Sequence, residues 1–243
     1  MHYLPEESSV LQTRIKEIKK FCDVQQMVIN ESKSKTAIFN SAIKKDFDPR
    51  LKYGEQKFDN NEEFELLGVK IVSHQKYGIK WDSYISECIQ RGYTNLWVLK
   101  RLVELGAKFE DVLMTYCQRV RVHVEINTPL WTFSISQKLS DKIEKLQKSA
   151  VYIMLPLLGK HTNLHYSDII EIMGLDLLKE RRLLLSDEFV RKMFKHPEHR
   201  KMFTLCEGRT TRAGRKVIVP QGKTRRYQNS SIPSLAELLN SQS

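Results

Sequence analysis

The sequence predicts an α+β fold that is mostly α, with the two classes segregated along the chain rather than alternating. Three observations carry this. Apolar residues recur at helical spacing from about Trp81 to Lys195. The short β-favouring runs are confined to the first 75 or so residues. After Phe203 the composition shifts, with cations dominating and large apolar residues scarce until Ile232.

The chain has 243 residues, 41% of them hydrophobic, enough to bury a core and unlike a disordered composition. Its formal net charge of +11 favours nucleic acid or an anionic surface as partner. Cys22, Cys88, Cys117 and Cys206 form no close pair, which points away from a structural zinc site or a disulfide framework and towards a reducing compartment. No apolar run approaches the ~20 residues that span a bilayer, and the start, Met1 to Glu7, lacks the pattern of a secretory leader. The expected location is nucleus or cytoplasm, with no membrane and no small-molecule ligand.

The first helix is expected to open on a capping box, Ser9 to Gln12, with Leu11, Ile15, Ile18 and Cys22 on its core face. Met27–Ile29 and Thr36–Phe39 read as short strands around a polar link, Asn30 to Lys35. Residues 44–62 are charged, carry Pro49 and Gly54, and read as a loop. Phe64 to Val72 is strand-like, interrupted by Gly68. From Trp81 the period becomes helical. Asp82 or Ser83 can cap the start, Ile85, Cys88, Ile89, Tyr93, Leu96, Leu99 and Leu102 form a stripe, and Gly106 is placed to end it.

Phe109 to Asn127 repeats the pattern through Val112, Leu113, Tyr116, Val120 and Val124, with Pro129 at its end. A second capping box, Ser134 to Gln137, leads into Leu139, Ile143, Leu146, Ala150, Ile153 and Leu157. A short helix over Tyr166–Met173 follows, then a longer one from about Leu178 to Lys195 that stops before Pro197. The remainder reads as a mostly extended basic tail whose last residues, Ser234 to Asn240, make one helical turn or two.

Several strings resemble, in order, the region downstream of the active site in LINE-type (non-LTR retrotransposon) reverse transcriptases. Ile29 to Thr36 is similar to the palm element after the catalytic hairpin, and Phe64 to Val69 to the next strand, near the primer grip. Tyr116, Val120-Arg121, Glu125, Pro129 and Trp131, then Ile143-Glu144, Gln147-Lys148 and Ala150, then Tyr166, Leu175 and Arg181-Arg182, resemble the thumb pattern. Arg226 to Pro233 and Leu238-Leu239-Asn240 resemble the end of some of these polyproteins.

The resemblance implies a partial palm over 1–75, thumb helices over 76–158, C-terminal helices over 159–203 and a basic tail over 204–243. It implies an RNA-directed DNA polymerase that grips an RNA/DNA template–primer duplex. Such chemistry needs carboxylates that hold two metal ions, yet the sequence has no Asp-Asp pair, and Asp23, Asp46 and Asp48 lack the strand context of metal ligands. The chain alone is therefore expected to be inactive in synthesis, with no cofactor of its own; magnesium is expected only in a full-length relative. It reads as a fragment of a transposable element's polymerase, the first helix beginning just past the missing Tyr-x-Asp-Asp hairpin. The resemblance gives Lys33 an accessory catalytic role beside the incoming triphosphate, where an ammonium assists pyrophosphate departure.

Candidate nucleic-acid contacts are Lys35, Lys100, Arg101, Arg119, Lys145, Lys148, Arg181 and Arg182, together with the tail cations Arg209, Arg212, Arg215, Lys216, Lys223, Arg225 and Arg226. Tyr227 is placed to stack on a base. Arg121 and Glu125 are spaced as a structural i,i+4 pair. The pairs His161/His165 and His196/His199 lack further ligands of the kind zinc needs. The alternative reading is a non-enzymatic, helical nucleic-acid-binding protein, derived from a retroelement or unrelated to one.

Overall fold

The computed structural model describes residues 5–30, 33–36, 51–53, 56–57, 63–74, 78–159, 164–206, 216–222 and 225–241. The chain divides into two compact units, Met1–Ser83 and Tyr84–Ser243. The described residues are mostly helical, with short antiparallel β-ladders confined to the first unit. The α+β class and the segregation of its parts are as the sequence predicts.

In the first unit, helix α1 (Pro5–Val24) begins four residues before Ser9, so Ser9 is no cap; its carbonyl accepts from the Thr13 hydroxyl at 2.9 Å. Gln12 instead fastens the helix to strand β1 (Lys52–Tyr53). Its Nε2 donates to the Lys52 carbonyl at 2.8 Å, and the Lys52 N–H donates back to Oε1 at 2.9 Å. Of the expected core stripe on α1 only Cys22 is buried; Leu11 and Ile18 are 51% and 52% exposed. Helix α1 ends on Gln26 in the left-handed region, with the Met27 N–H reaching back to the Cys22 carbonyl. Met27–Ile29 are not in a strand. Thr36 holds only an isolated bridge position, and the rest of the second expected run, 37–39, lies outside the described residues.

Strand β1 pairs with β2 (Gln56–Lys57). Where one interrupted strand is expected, β3 (Glu63–Leu66) and β4 (Val69–His74) form a hairpin, and β5 (Gly78–Lys80) extends it to three strands. The hairpin loop is Leu67-Gly68, both at positive φ, +50° and +77°. That is the requirement of a two-residue turn whose twist matches the strands. Gly68 is therefore the turn itself rather than a flaw in a strand.

In the second unit, α2 (Asp82–Glu104) buries Ile85, Cys88, Ile89, Gly92, Leu96 and Leu99. Gly106, at φ +73°, ends it as expected: the Gly106 and Ala107 N–H groups bond the Val103 and Leu102 carbonyls. Tyr93, expected in that stripe, faces solvent. The next run is not one regular helix. Between α3 (Phe109–Thr115) and α4 (Val122–Glu125), residues Tyr116–Arg121 form a π turn. Asn127 in the left-handed region breaks the run, and Pro129 lies in the first turn of the short α5 (Thr128–Trp131) rather than ending the helix before it.

Helix α6 (Gln137–Met154) is capped by Ser136, whose hydroxyl accepts from the Leu139 N–H at 3.3 Å, not by Ser134. Pro156 follows in a 3-10 turn. Helices α7 (Tyr166–Ile172) and α8 (Leu178–Lys195) keep their expected places, and α9 (Pro197–Arg200) begins at the proline that stops α8.

The described residues after Phe203 do not form an extended tail. Leu205 bridges Val217. Two helices, α10 (Arg225–Gln228) and α11 (Ser231–Asn240), follow, and α11 packs against α8. Val190, Phe203, Val217, Leu235, Ala236 and Leu239 form one buried cluster. The apolar residues that a tail would leave in water are enough to close this end of the unit.

Candidate nucleic-acid interface

Helix α6 has two opposed faces. The inner one buries Leu139, Ile143, Leu146, Gln147, Ala150 and Met154. The outer one presents Lys138, Lys142, Lys145 and Lys148, all exposed, with Tyr152 half exposed at its end. At 1.5 Å per residue the four ammonium groups spread over about 15 Å of helix. None of them has an ion-pair partner among the described residues. Lys148 Nζ lies 5.5 Å from the Tyr166 ring centroid and 5.9 Å from that of Tyr152. Asp141, the acid on this side, accepts from Gln137 Nε2 at 2.7 Å. The result is a row of unneutralised cations with two aromatic rings at one end, chemistry suited to a polyanion.

The inner side of α6 is held by a polar network. The Tyr116 hydroxyl donates to Gln147 Oε1 at 2.6 Å, and Gln147 Nε2 donates to the Asp176 carbonyl at 2.9 Å. Burial pushes the Tyr116 phenol far above its ordinary pKa, so it stays a protonated donor. Glu144 accepts the Leu178 and Lys179 N–H groups at 3.2 and 2.7 Å, capping α8 from a neighbouring helix. Glu125 takes a short charge-assisted bond from Arg181 Nε and lies 3.2 Å from Arg121 Nε. The expected Arg121–Glu125 pair is thus present and extended to α8.

Arg182 is 2% exposed. Its Nε donates to Thr132 Oγ1 at 3.3 Å and its Nη2 to Ser140 Oγ at 2.7 Å, with the guanidinium 5.8 Å from the Trp131 ring. Burial draws its pKa down from the ordinary arginine value, opposed by Glu144. An enclosed guanidinium cannot meet an external phosphate, so Arg182 leaves the set of nucleic-acid contacts. Arg181, with its Nε and Nη2 both turned to Glu125, is likewise occupied in holding helices together.

The other sequence-selected cations divide by location. Lys100 and Arg101 are exposed on α2, though Arg101 is paired with Glu104 at 2.7 Å. Arg119 is exposed on the π turn, and Lys145 and Lys148 belong to the α6 row. Lys216 is exposed beside Val217, and its N–H donates to Asn240 Oδ1 at 2.9 Å. Arg209, Arg212, Arg215 and Lys223 lie outside the described residues, and Arg225 and Arg226 are described only as the first residues of α10. Lys33 and Lys35 are exposed in the first unit, where the Lys33 N–H donates to the Asn30 side chain at 3.2 Å in a polar turn.

Among the described residues no group of three or more His, Cys, Asp or Glu side chains could hold a metal ion, and no helix is long and apolar enough to cross a membrane. The four cysteines are free thiols. Sequence reasoning missed Lys138, Lys142 and Tyr152. The signal was available, since positions 138, 142, 145 and 152 keep helical spacing on the side opposite Ile143 and Ala150. In comparisons with known proteins, the chain matches no family model, no curated protein and no solved structure.

Proposed function

We propose that this chain is the nucleic-acid-gripping part of a LINE-type reverse transcriptase, a holder of template–primer that lacks the carboxylates for synthesis. The carrying observation is the lysine row of α6, set on a helix whose opposite side is fixed by the residues that bear the resemblance. Tyr116 bonds Gln147 of that helix, Glu144 of the same helix caps α8, Arg182 bonds its Ser140, and Arg181 ties α8 to Glu125 of α4, so residues scattered over 67 positions brace α6 and its neighbour α8. A rigid helix with unpaired cations on one face binds a phosphate backbone without reading sequence. The net charge of +11 adds long-range attraction.

The test is salt-dependent binding of an RNA–DNA hybrid duplex to the intact chain. Replacing Lys138, Lys142 and Lys145 together with Gln should lower the slope of log K against log salt by about 2–3, nearly one for each phosphate that is no longer neutralised. An unchanged slope would remove the α6 row from the interface. Primer extension with magnesium should yield no product, and synthesis above background would overturn the reading that the catalytic carboxylates are missing.

A further inference from the structure

Resting on that reading, we infer that the exposed face of α2 carrying Tyr93, Trp97 and Lys100 binds single-stranded nucleic acid, with a base stacked on the Trp97 indole. Trp97 is 62% exposed, and it has no hydrogen-bond, ion-pair or ring partner among the described residues. Tyr93, Trp97 and Lys100 are spaced i, i+4, i+7 and so share one helix face. An indole left in water beside an unpaired lysine has the two elements of sequence-tolerant single-strand binding, a π-face for the base and an ammonium for its phosphate.

Helix α2 meets α6, the helix that carries the lysine row, at Gly92, so closely that a β-carbon there would lie 2.5 Å from Leu146 Cδ2. Round the helix from Gly92, Asn95 reaches His123 of α4 at 3.3 Å, so α4 lies against one flank of α2. Tyr93 and Lys100 fall on the other flank, about 80–100° from Gly92 at 3.6 residues per turn. On α6, Gln147 bonds Tyr116 of the π turn on one flank of Leu146. Lys142 and Lys138 lie on the opposite flank by the same helical count. Tyr93 and Lys100 of α2 and Lys138 and Lys142 of α6 thus lie on the flanks turned away from the Asn95–His123 and Gln147–Tyr116 contacts, with Trp97 further round α2. A polyanion matches that charge; an apolar protein partner would bury lysines without pairing them.

The structure supplies its own reporter. Trp81 and Trp131 are 8% and 1% exposed, so Trp97 is the one tryptophan open to solvent. With the full chain, unlabelled oligo(dT) should quench tryptophan fluorescence, and the quenching should vanish in Trp97→Ala. Anisotropy with labelled oligo(dT) should show Trp97→Ala binding about 5- to 100-fold more weakly, the range that removing one base–aromatic stack produces, and Trp97→Phe within about 3-fold of the parent. Affinity for a fully paired duplex should change less than about 2-fold. Unchanged oligo(dT) affinity in Trp97→Ala, with duplex binding intact, would overturn this inference alone. Loss of self-association in Trp97→Ala, read by sedimentation, without loss of oligo(dT) affinity would assign the face to a second copy of the chain. Failure of the parent chain to bind either probe at low salt would overturn the gripping function as well.

Discussion

The Tyr116 hydroxyl donates to Oε1 of Gln147 across 2.6 Å, and both side chains are fully buried. The bond ties the π turn to the centre of α6. Tyr116→Phe keeps the ring and its packing but strands a buried amide oxygen, so it should cost about 1–3 kcal/mol. Tyr152→Phe, on the exposed face of the same helix, should stay within about 0.5 kcal/mol of the parent. Urea melts of the two variants check this, and equal midpoints would show that the buried bond contributes nothing net.

Helix α8 begins without a cap of its own: Leu177 offers no side-chain acceptor. Glu144, 34 positions earlier, supplies both oxygens to the first free N–H groups. Glu144→Ala should therefore destabilise by about 1 kcal/mol, the usual cost of removing an N-cap, and Glu144→Gln by less, since one acceptor remains. Thermal denaturation in the same buffer gives the ranking, and Gln falling below Ala would contradict it.

How much of this was legible in the sequence depends on whether the deciding signal is local. The helix from about Leu178 to Lys195 was readable because Pro197 forbids continuation and the apolar spacing is regular. Which side of α8 turns inward was not readable. The buried row is Leu178, Arg182, Ser186 and Val190, while Leu183 and Leu184 face water. A polar pair on the core side makes sense only once Thr132 and Ser140, some 40 to 50 residues earlier, are seen to receive the guanidinium. The packing of α11 was hidden for the same reason: the partners of Leu235 and Leu239 include Val190, Phe203 and Val217, and none of these is near in sequence. In the candidate interface, Lys145 and Lys148 were visible one at a time, but the row became visible only when the inner face of α6 was fixed.

His123 gives a pH dependence with a definite sign. Burial, with Arg91 adding to it, holds the imidazole pKa below its ordinary value, and the neutral Nε2 faces the Asn95 amide at 3.3 Å. The unfolded chain, free of both effects, takes up the proton near pH ~6.5. At and below that pH the unfolded state binds more protons than the folded one, so the stability tied to neutral His123 is complete above about pH 6.5 and is lost as pH falls through the lowered folded pKa. The melting temperature should fall more steeply as the pH drops below about 6.5 in the parent than in His123→Gln. Parallel curves for the two proteins would exclude His123 as the titrating group.

Leu67 stands at φ +50° in the loop between β3 and β4, 95% exposed. A leucine there gains nothing from burial and bears the steric cost of the left-handed region, about 1–2 kcal/mol, while Gly68 beside it bears none. Asn-Gly is the pair this two-residue turn favours, because asparagine enters the left-handed region more easily. Leu67→Asn should therefore stabilise the hairpin by a part of that cost, about 0.5–1 kcal/mol, whereas Gly68→Ala should destabilise it by forcing a second β-carbon into the same region. Amide exchange of the Glu63–His74 ladder reads both effects, with slower exchange expected in Leu67→Asn and faster in Gly68→Ala. If Leu67→Asn exchanged faster instead, the leucine at this tip would be making interactions that outweigh its backbone cost.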